Sequence, residues 1–257
     1  MFSWSFRRRF LYIFILALIV VPPTAFYIWK SQQKQPSCTD GKQNQDERGV
    51  DCGGVCKLAC FFEVTAEPTV QWSRAYYVAK GVYNLVAYIQ NPNVNFVSKS
   101  TPYIFRIYDE NNVLLASRAG EVALPTAKLF PIFEAGIDVG ERIPKKVVFE
   151  FTEPLTWVEY DVDRPELSVS NVILSRTDDS PKLSAKISNT TLNQYRGVEV
   201  VAILYDIEGN GFAASRTFID RIGDKQTKDV YFTWPEAFTA STSRIEIIPK
   251  LALPKTR

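Results

Sequence analysis

The chain has 257 residues, 46% of them hydrophobic, with 30 basic and 28 acidic side chains, four cysteines and no histidine. That length accommodates more than one folded domain, and the lack of histidine removes the commonest general base and triad member. Four of the basic groups, Arg7, Arg8, Arg9 and Lys30, lie in the first thirty residues without one acidic partner. The net charge of +2 therefore belongs to that end; the remainder is slightly acidic and shows no basic stripe interleaved with aromatics, so nucleic acid is not an expected partner.

Phe10 to Trp29 carries no charge and is dominated by Leu, Ile, Val, Phe and Tyr. At a rise of about 1.5 Å per residue it matches the hydrocarbon thickness of a bilayer. Arg7-Arg8-Arg9 immediately before it predicts a cytoplasmic N-terminus (1–9) and an extracytoplasmic remainder. Pro22-Pro23 predicts a kink or an end to regular helix within the span. A cleaved signal peptide is the competing reading, but a cut after Ala25 would place Pro23 at the −3 position, so an uncleaved anchor contacting membrane lipid through 10–29 is preferred.

After a linker (30–37) comes an insert, 38–60, holding Cys38, Cys52, Cys56 and Cys60. The insert is too poor in apolar residues to bury a core, so cross-links must hold it. Zinc is the alternative to disulfides; without histidine, and outside the cytoplasm, two disulfides of unread connectivity are favoured. Asp40, Asn44, Asp46, Glu47 and Asp51 offer oxygen ligands of the kind calcium takes, though not at EF-hand spacing. The plainer reading makes Asp40-Gly41 a turn and Asp51 a cap on the backbone beside Gly53-Gly54. No cofactor other than calcium is suggested.

The rest of the chain repeats itself. Leu85-x-Ala87-x-Ile89-x-Asn91 returns as Leu183-x-Ala185-x-Ile187-x-Asn189, Tyr108-Asp109 as Tyr205-Asp206, and Ser117-Arg118 as Ser215-Arg216, at offsets of 97 or 98. A period near a hundred is too long for a solenoid unit and fits two domains, 61–163 and 164–257. Apolar residues at every second position predict strands with one buried face, so Leu85, Ala87, Ile89, Tyr108, Leu183, Ala185, Ile187 and Tyr205 are the expected repeated core. The intervening Tyr88 and Lys186 are expected to face solvent. Matching Arg118–Val148 with Arg216–Val230 leaves the first copy with extra residues around 124–136, read as an additional edge strand or an exposed apolar contact loop. Asp161 to Pro165 is a linker too short to let the domains roam. The fold class is all-β: an N-terminal transmembrane helix, a small disulfide-rich insert and two tandem antiparallel β-sandwiches.

Two stretches carry resemblances. Residues 38–60 resemble a short C-x-D-G…D-C-G-G-x-C module found in bacterial secreted and surface proteins, which implies export. Phe105-x-Ile107-Tyr108-Asp109 and Ala202-x-Leu204-Tyr205-Asp206 look like the F-x-L-Y-D type of extracytoplasmic β-sandwich, similar to immunoglobulin-like and late-embryogenesis-abundant sandwiches. The second copy has Ala202 where the aromatic belongs, which would loosen its core.

No catalytic constellation is evident. Asp178, Asp179 and Glu208 read as solvated turn residues, and the sequon Asn189-Thr190-Thr191 as a strand-end turn. The expected role is therefore a non-catalytic binding or structural module of the cell envelope, whose partner is another envelope protein or a surface polymer. The alternative is a ligand-capturing or sensing accessory subunit of a membrane transporter.

Overall fold

The computed structural model describes residues 4–32, 38–44, 46–54, 56, 60, 65–126, 128–159 and 167–251. The expected linkers at 33–37 and 161–165 lie outside those residues. The chain divides into two compact units, Met1–Val64 and Thr65–Arg257.

In the first unit, α1 (Trp4–Gln32) runs unbroken through Pro22 and Pro23. Its Arg9–Lys30 stretch is long and apolar enough to cross a membrane, with a mean hydropathy of 2.2. The prolines do not end it as expected. Thr24 Oγ1 donates to the carbonyls of Val20 (2.8 Å) and Val21 (3.0 Å), adding local bonds beside the place where donors are missing. The insert that follows is knit by two disulfides, Cys38–Cys56 and Cys52–Cys60.

The second unit is all antiparallel β-structure. Its first half contains β1 (Thr69–Ala79), β2 (Val82–Gln90), β3 (Phe96–Tyr108), β4 (Leu114–Leu124), β5 (Leu129–Asp138), β6 (Lys146–Phe151) and the short β7 (Val158–Glu159). Sheet β1-β2-β5 faces sheet β4-β3-β6, and β7 pairs with β3. The second half contains β8 (Leu167–Ser175), β9 (Lys182–Asn189), β10 (Tyr195–Tyr205), β11 (Gly211–Ile222), β12 (Thr227–Thr233) and β13 (Arg244–Lys250). Its sheets, β8-β9-β12 and β11-β10-β13, repeat the strand order of the first half.

Register corrects the expected insertion. Ile89 lies opposite Phe130 and Ile187 opposite Lys228, while Ile107 pairs with Val147 and Leu204 with Ile245. Thus β5 corresponds to β12 and β6 to β13, with the same separation from Arg118 and Arg216 in each half. The match of Val148 to Val230 compared strands from opposite sheets. Residues 129–138 form the counterpart of β12, with Phe130 and Ile132 in the core.

Each sandwich has its own core. Leu85, Ala87 and Ile89 join Tyr103, Phe105, Ile107 and Phe149 in the first; Leu183, Ala185 and Ile187 join Ala202, Leu204, Phe232 and Trp234 in the second. The aromatic volume missing at Ala202, which is fully buried, is supplied from elsewhere: Trp234 packs edge-on against Phe238, and Phe238 against Phe212. Tyr108 and Tyr205 do not join these cores. They follow Ile107 and Leu204 by one residue and so occupy the opposite face, where Tyr108 is only half-buried.

That opposite face holds the tertiary feature the repeat did not predict. Tyr76, Val86 and Phe133 of sheet β1-β2-β5 pack against Val201, Ile203, Tyr205 and Ala214 of sheet β11-β10-β13. The two inner sheets therefore stack through their outer faces, making four layers. Tyr88 is 6% exposed, against the expectation that it faces solvent, whereas Lys186 on the outermost sheet is exposed. Equivalent positions differ because one strand is covered on both faces and the other on one.

Candidate functional site

The cysteine-rich loop organises itself around its own acidic groups. Asp51, held at a positive φ, accepts the Asp40 and Gly41 N–H groups on Oδ1 and Oδ2, both at 2.8 Å. Asp40 in turn accepts from Lys42 N–H on Oδ1 and from the Asn44 amide on Oδ2, each at 3.0 Å. Glu47, 6% exposed, accepts the Asn44 N–H on Oε2. Its Oε1 lies 3.4 Å from Sγ of Cys56. A disulfide sulfur carries no proton, so this is a van der Waals contact and no hydrogen bond. Gly54 is required where the loop closes, because a Cβ there would fall 1.8 Å from the Asp46 carbonyl oxygen.

Among the described residues, the one set of three thiol or carboxylate groups within 4.8 Å of one another is Cys38, Glu47 and Cys56. Two of those are joined as a disulfide. Asp40, Asp46, Glu47 and Asp51, expected as oxygen ligands with Asn44, do not converge on a point. The loop's N–H groups occupy the carboxylates of Asp51, Asp40 and Glu47, while Asp46 lies exposed. This is turn and cap chemistry.

The repeated Asn and Asp are built into the sandwiches in the same way twice. Asn91 donates from its amide to the carbonyls of Phe96 and Pro125, and its oxygen accepts from Asn93. Asn189 donates to the carbonyls of Asn193 and Gly223, and its oxygen accepts from Thr191. Asn189 is 2% exposed, so the side chain that a glycan would need is buried in the turn. Asp109 Oδ1 accepts from the N–H groups of Asn111 and Val113, as Asp206 Oδ1 does from Glu208 and Asn210. The residues that carry the sequence repeat close the strand ends.

A second polar cluster lies at the seam between the sandwiches. Glu246 on β13 accepts the Tyr88 hydroxyl at 2.5 Å and the Tyr205 hydroxyl at 2.9 Å, one per carboxylate oxygen. The Arg244 guanidinium stands 3.8 Å above the Tyr205 ring, and Trp72 stacks on Tyr88. Burial and the hydrogen bond to Glu246 push Tyr205 up to about 12, and they raise Tyr88 further. Elsewhere along the seam, Arg216 donates to the Phe133 carbonyl and to Glu199, which also pairs with Lys250. The Asn84 amide donates to the Ala214 carbonyl. The Tyr76 hydroxyl is buried without a partner beside Gly211.

The sequence reading missed this seam. Its signal was the unbroken apolar run at Leu85–Ile89 and Val200–Tyr205, where β9 alternates cleanly; strands covered on both faces lose their polar alternation.

Comparison with known proteins adds little. No protein-family model matches the sequence, and no curated protein matches it. Among solved structures, red sea bream transglutaminase aligns over 71% of this chain and 29% of its own, at 11% identity and a TM-score of 0.24. This chain thus spans less than a third of that enzyme, and the likeness carries no argument about activity.

Proposed function

We propose that the chain is a membrane-anchored, extracytoplasmic module of the cell envelope that works by binding or by holding a partner at a set distance, without catalysis. The observation that carries this reading is the seam. Tyr76, Val86, Phe133, Val201, Ile203 and Tyr205 fill the space between the sandwiches, where a capturing protein would keep an open cleft between its domains. Support for the location comes from two disulfides, which persist in oxidising compartments, and from the spanning-length α1 behind Arg7-Arg8-Arg9. In this reading the two sandwiches are a duplicated immunoglobulin-like unit, and the partner is another envelope protein.

Protease added to intact spheroplasts should digest residues 65–257, and the four cysteines should resist alkylation until reduced. Protection of the β unit until lysis overturns the location. A large thermal shift of the ectodomain with a small solute would move the reading to a ligand-capturing accessory subunit.

A further inference from the structure

Pro22 and Pro23 carry no N–H, so the carbonyls of Leu18 and Ile19 lose the donors that a helix supplies four residues on. Those two carbonyls lie at the middle of the Arg9–Lys30 stretch. If α1 spans a bilayer, as proposed above, this is the depth where water is scarcest and an unpaired backbone group is least tolerated. The nearby hydroxyl does not repair the gap. Thr24 Oγ1 is directed to Val20 and Val21, whose carbonyls already have the N–H groups of Thr24 and Ala25.

We propose that α1 docks, at the Leu18–Pro22 face, against a transmembrane helix of a different protein that presents a hydroxyl or amide donor (Ser, Thr, Asn or Gln) at mid-bilayer. A second copy of this chain cannot fill the role. Copies insert with the same orientation, because the same arginines set it. The Thr24 hydroxyl of a neighbour would then sit about 7.5 Å from the level of Ile19, and Tyr12 about 9 Å from Leu18 on the other side, at roughly 1.5 Å per residue. Side chains on a helix also lean toward its N-terminus, which carries Tyr12 further away; it brings Thr24 nearer, but that hydroxyl already donates to Val20 and Val21 of its own helix. Interhelical bonds from Ser, Thr, Asn and Gln are one way in which neighbouring helices satisfy such carbonyls. The envelope partner is thus an integral membrane protein, recognised inside the bilayer as well as outside it.

The test is photocrosslinking of the full-length chain in native membranes. A photoreactive residue replaces Ile15 or Ala25, which share the Leu18–Pro22 face, or Leu16 or Val20, which do not. Crosslinking to one distinct protein should be at least about fivefold stronger from the first pair, the scale of one interhelical hydrogen bond in a bilayer. Mass spectrometry should place a Ser, Thr, Asn or Gln at mid-span in that protein. In the P22A/P23A variant, which restores both donors, the crosslink should fall by a similar factor while the chain still resists carbonate extraction. A crosslink unchanged in that variant, crosslinks from all four positions alike, only self-crosslinks, or none at all would each overturn the proposal. Extraction of the unmodified chain by carbonate would show instead that the membrane reading beneath it had failed.

Discussion

Tyr76 is 2% exposed and its hydroxyl has no partner, a state that costs about 1–3 kcal/mol relative to a satisfied group. It fits only because residue 211 is glycine: a Cβ there would come within 2.6 Å of the hydroxyl and 3.3 Å of the ring. The two residues belong to different sandwiches, so this contact sets how closely the halves approach. Tyr76→Phe should leave the melting temperature of the Thr65–Arg257 unit unchanged or raised. Gly211→Ala should lower it, and should cost less in the Tyr76→Phe background, where the closest clash is gone. A double-mutant cycle measures that coupling; strictly additive effects would mean that the two side chains do not meet. Asn91 and Asn189 show the complementary case of buried amides whose donors and acceptors are matched to turn backbone, which is why the same residue recurs in both halves.

Among the strands, β2 and β9 carry the same L-x-A-x-I-x-N pattern in different surroundings. β2 lies in an inner sheet and is covered on both faces; β9 lies in an outer sheet, and its Ser184, Lys186 and Ser188 side chains face outward. Tyr88→Asp should therefore be severe, because it buries a carboxylate beside Glu246 and removes a stacked ring, a loss of several kcal/mol. Lys186→Asp, on the exposed face opposite Asp229, should cost no more than about 1 kcal/mol, the scale of a cross-strand charge pair. Denaturant melts of the Thr65–Arg257 unit decide between them, and equal effects would dissolve the seam. The alternation in β9 was enough to assign its faces. In β2 the run Leu85–Ile89 offered no polar residue from which to choose, so the second buried face was hidden in plain composition.

At the scale of the molecule, the two compact units predict independent stabilities. Both disulfides lie within Met1–Val64, so reduction should loosen the cysteine-rich loop while the melt of the Thr65–Arg257 unit stays where it was. A fall in the β melt on reduction would tie the units together. The seam also sets a pH limit. Tyr205 titrates near 12 when folded against about 10 when unfolded, so its protonated form is favoured by folding. That stability is fully present below about pH 10 and is lost as pH rises toward 12. The melt of the β unit should hold steady from neutral pH to about 9 and then drop, less steeply in Tyr205→Phe; a flat profile to pH 12 would remove the Tyr205–Glu246 bond from the account. The sequence by itself determined the long apolar N-terminal helix, the cross-linked loop, the β class and the repeated motifs, because each rests on local composition or on the two-residue period of a strand. Only the tertiary structure decided the cysteine pairing, the correspondence of β5 with β12, the faces taken by Tyr108 and Tyr205, and the stacking of the two sandwiches. Those depend on which surfaces meet across a hundred residues of chain. A strand's pattern records how many of its faces are covered, but it does not record by what.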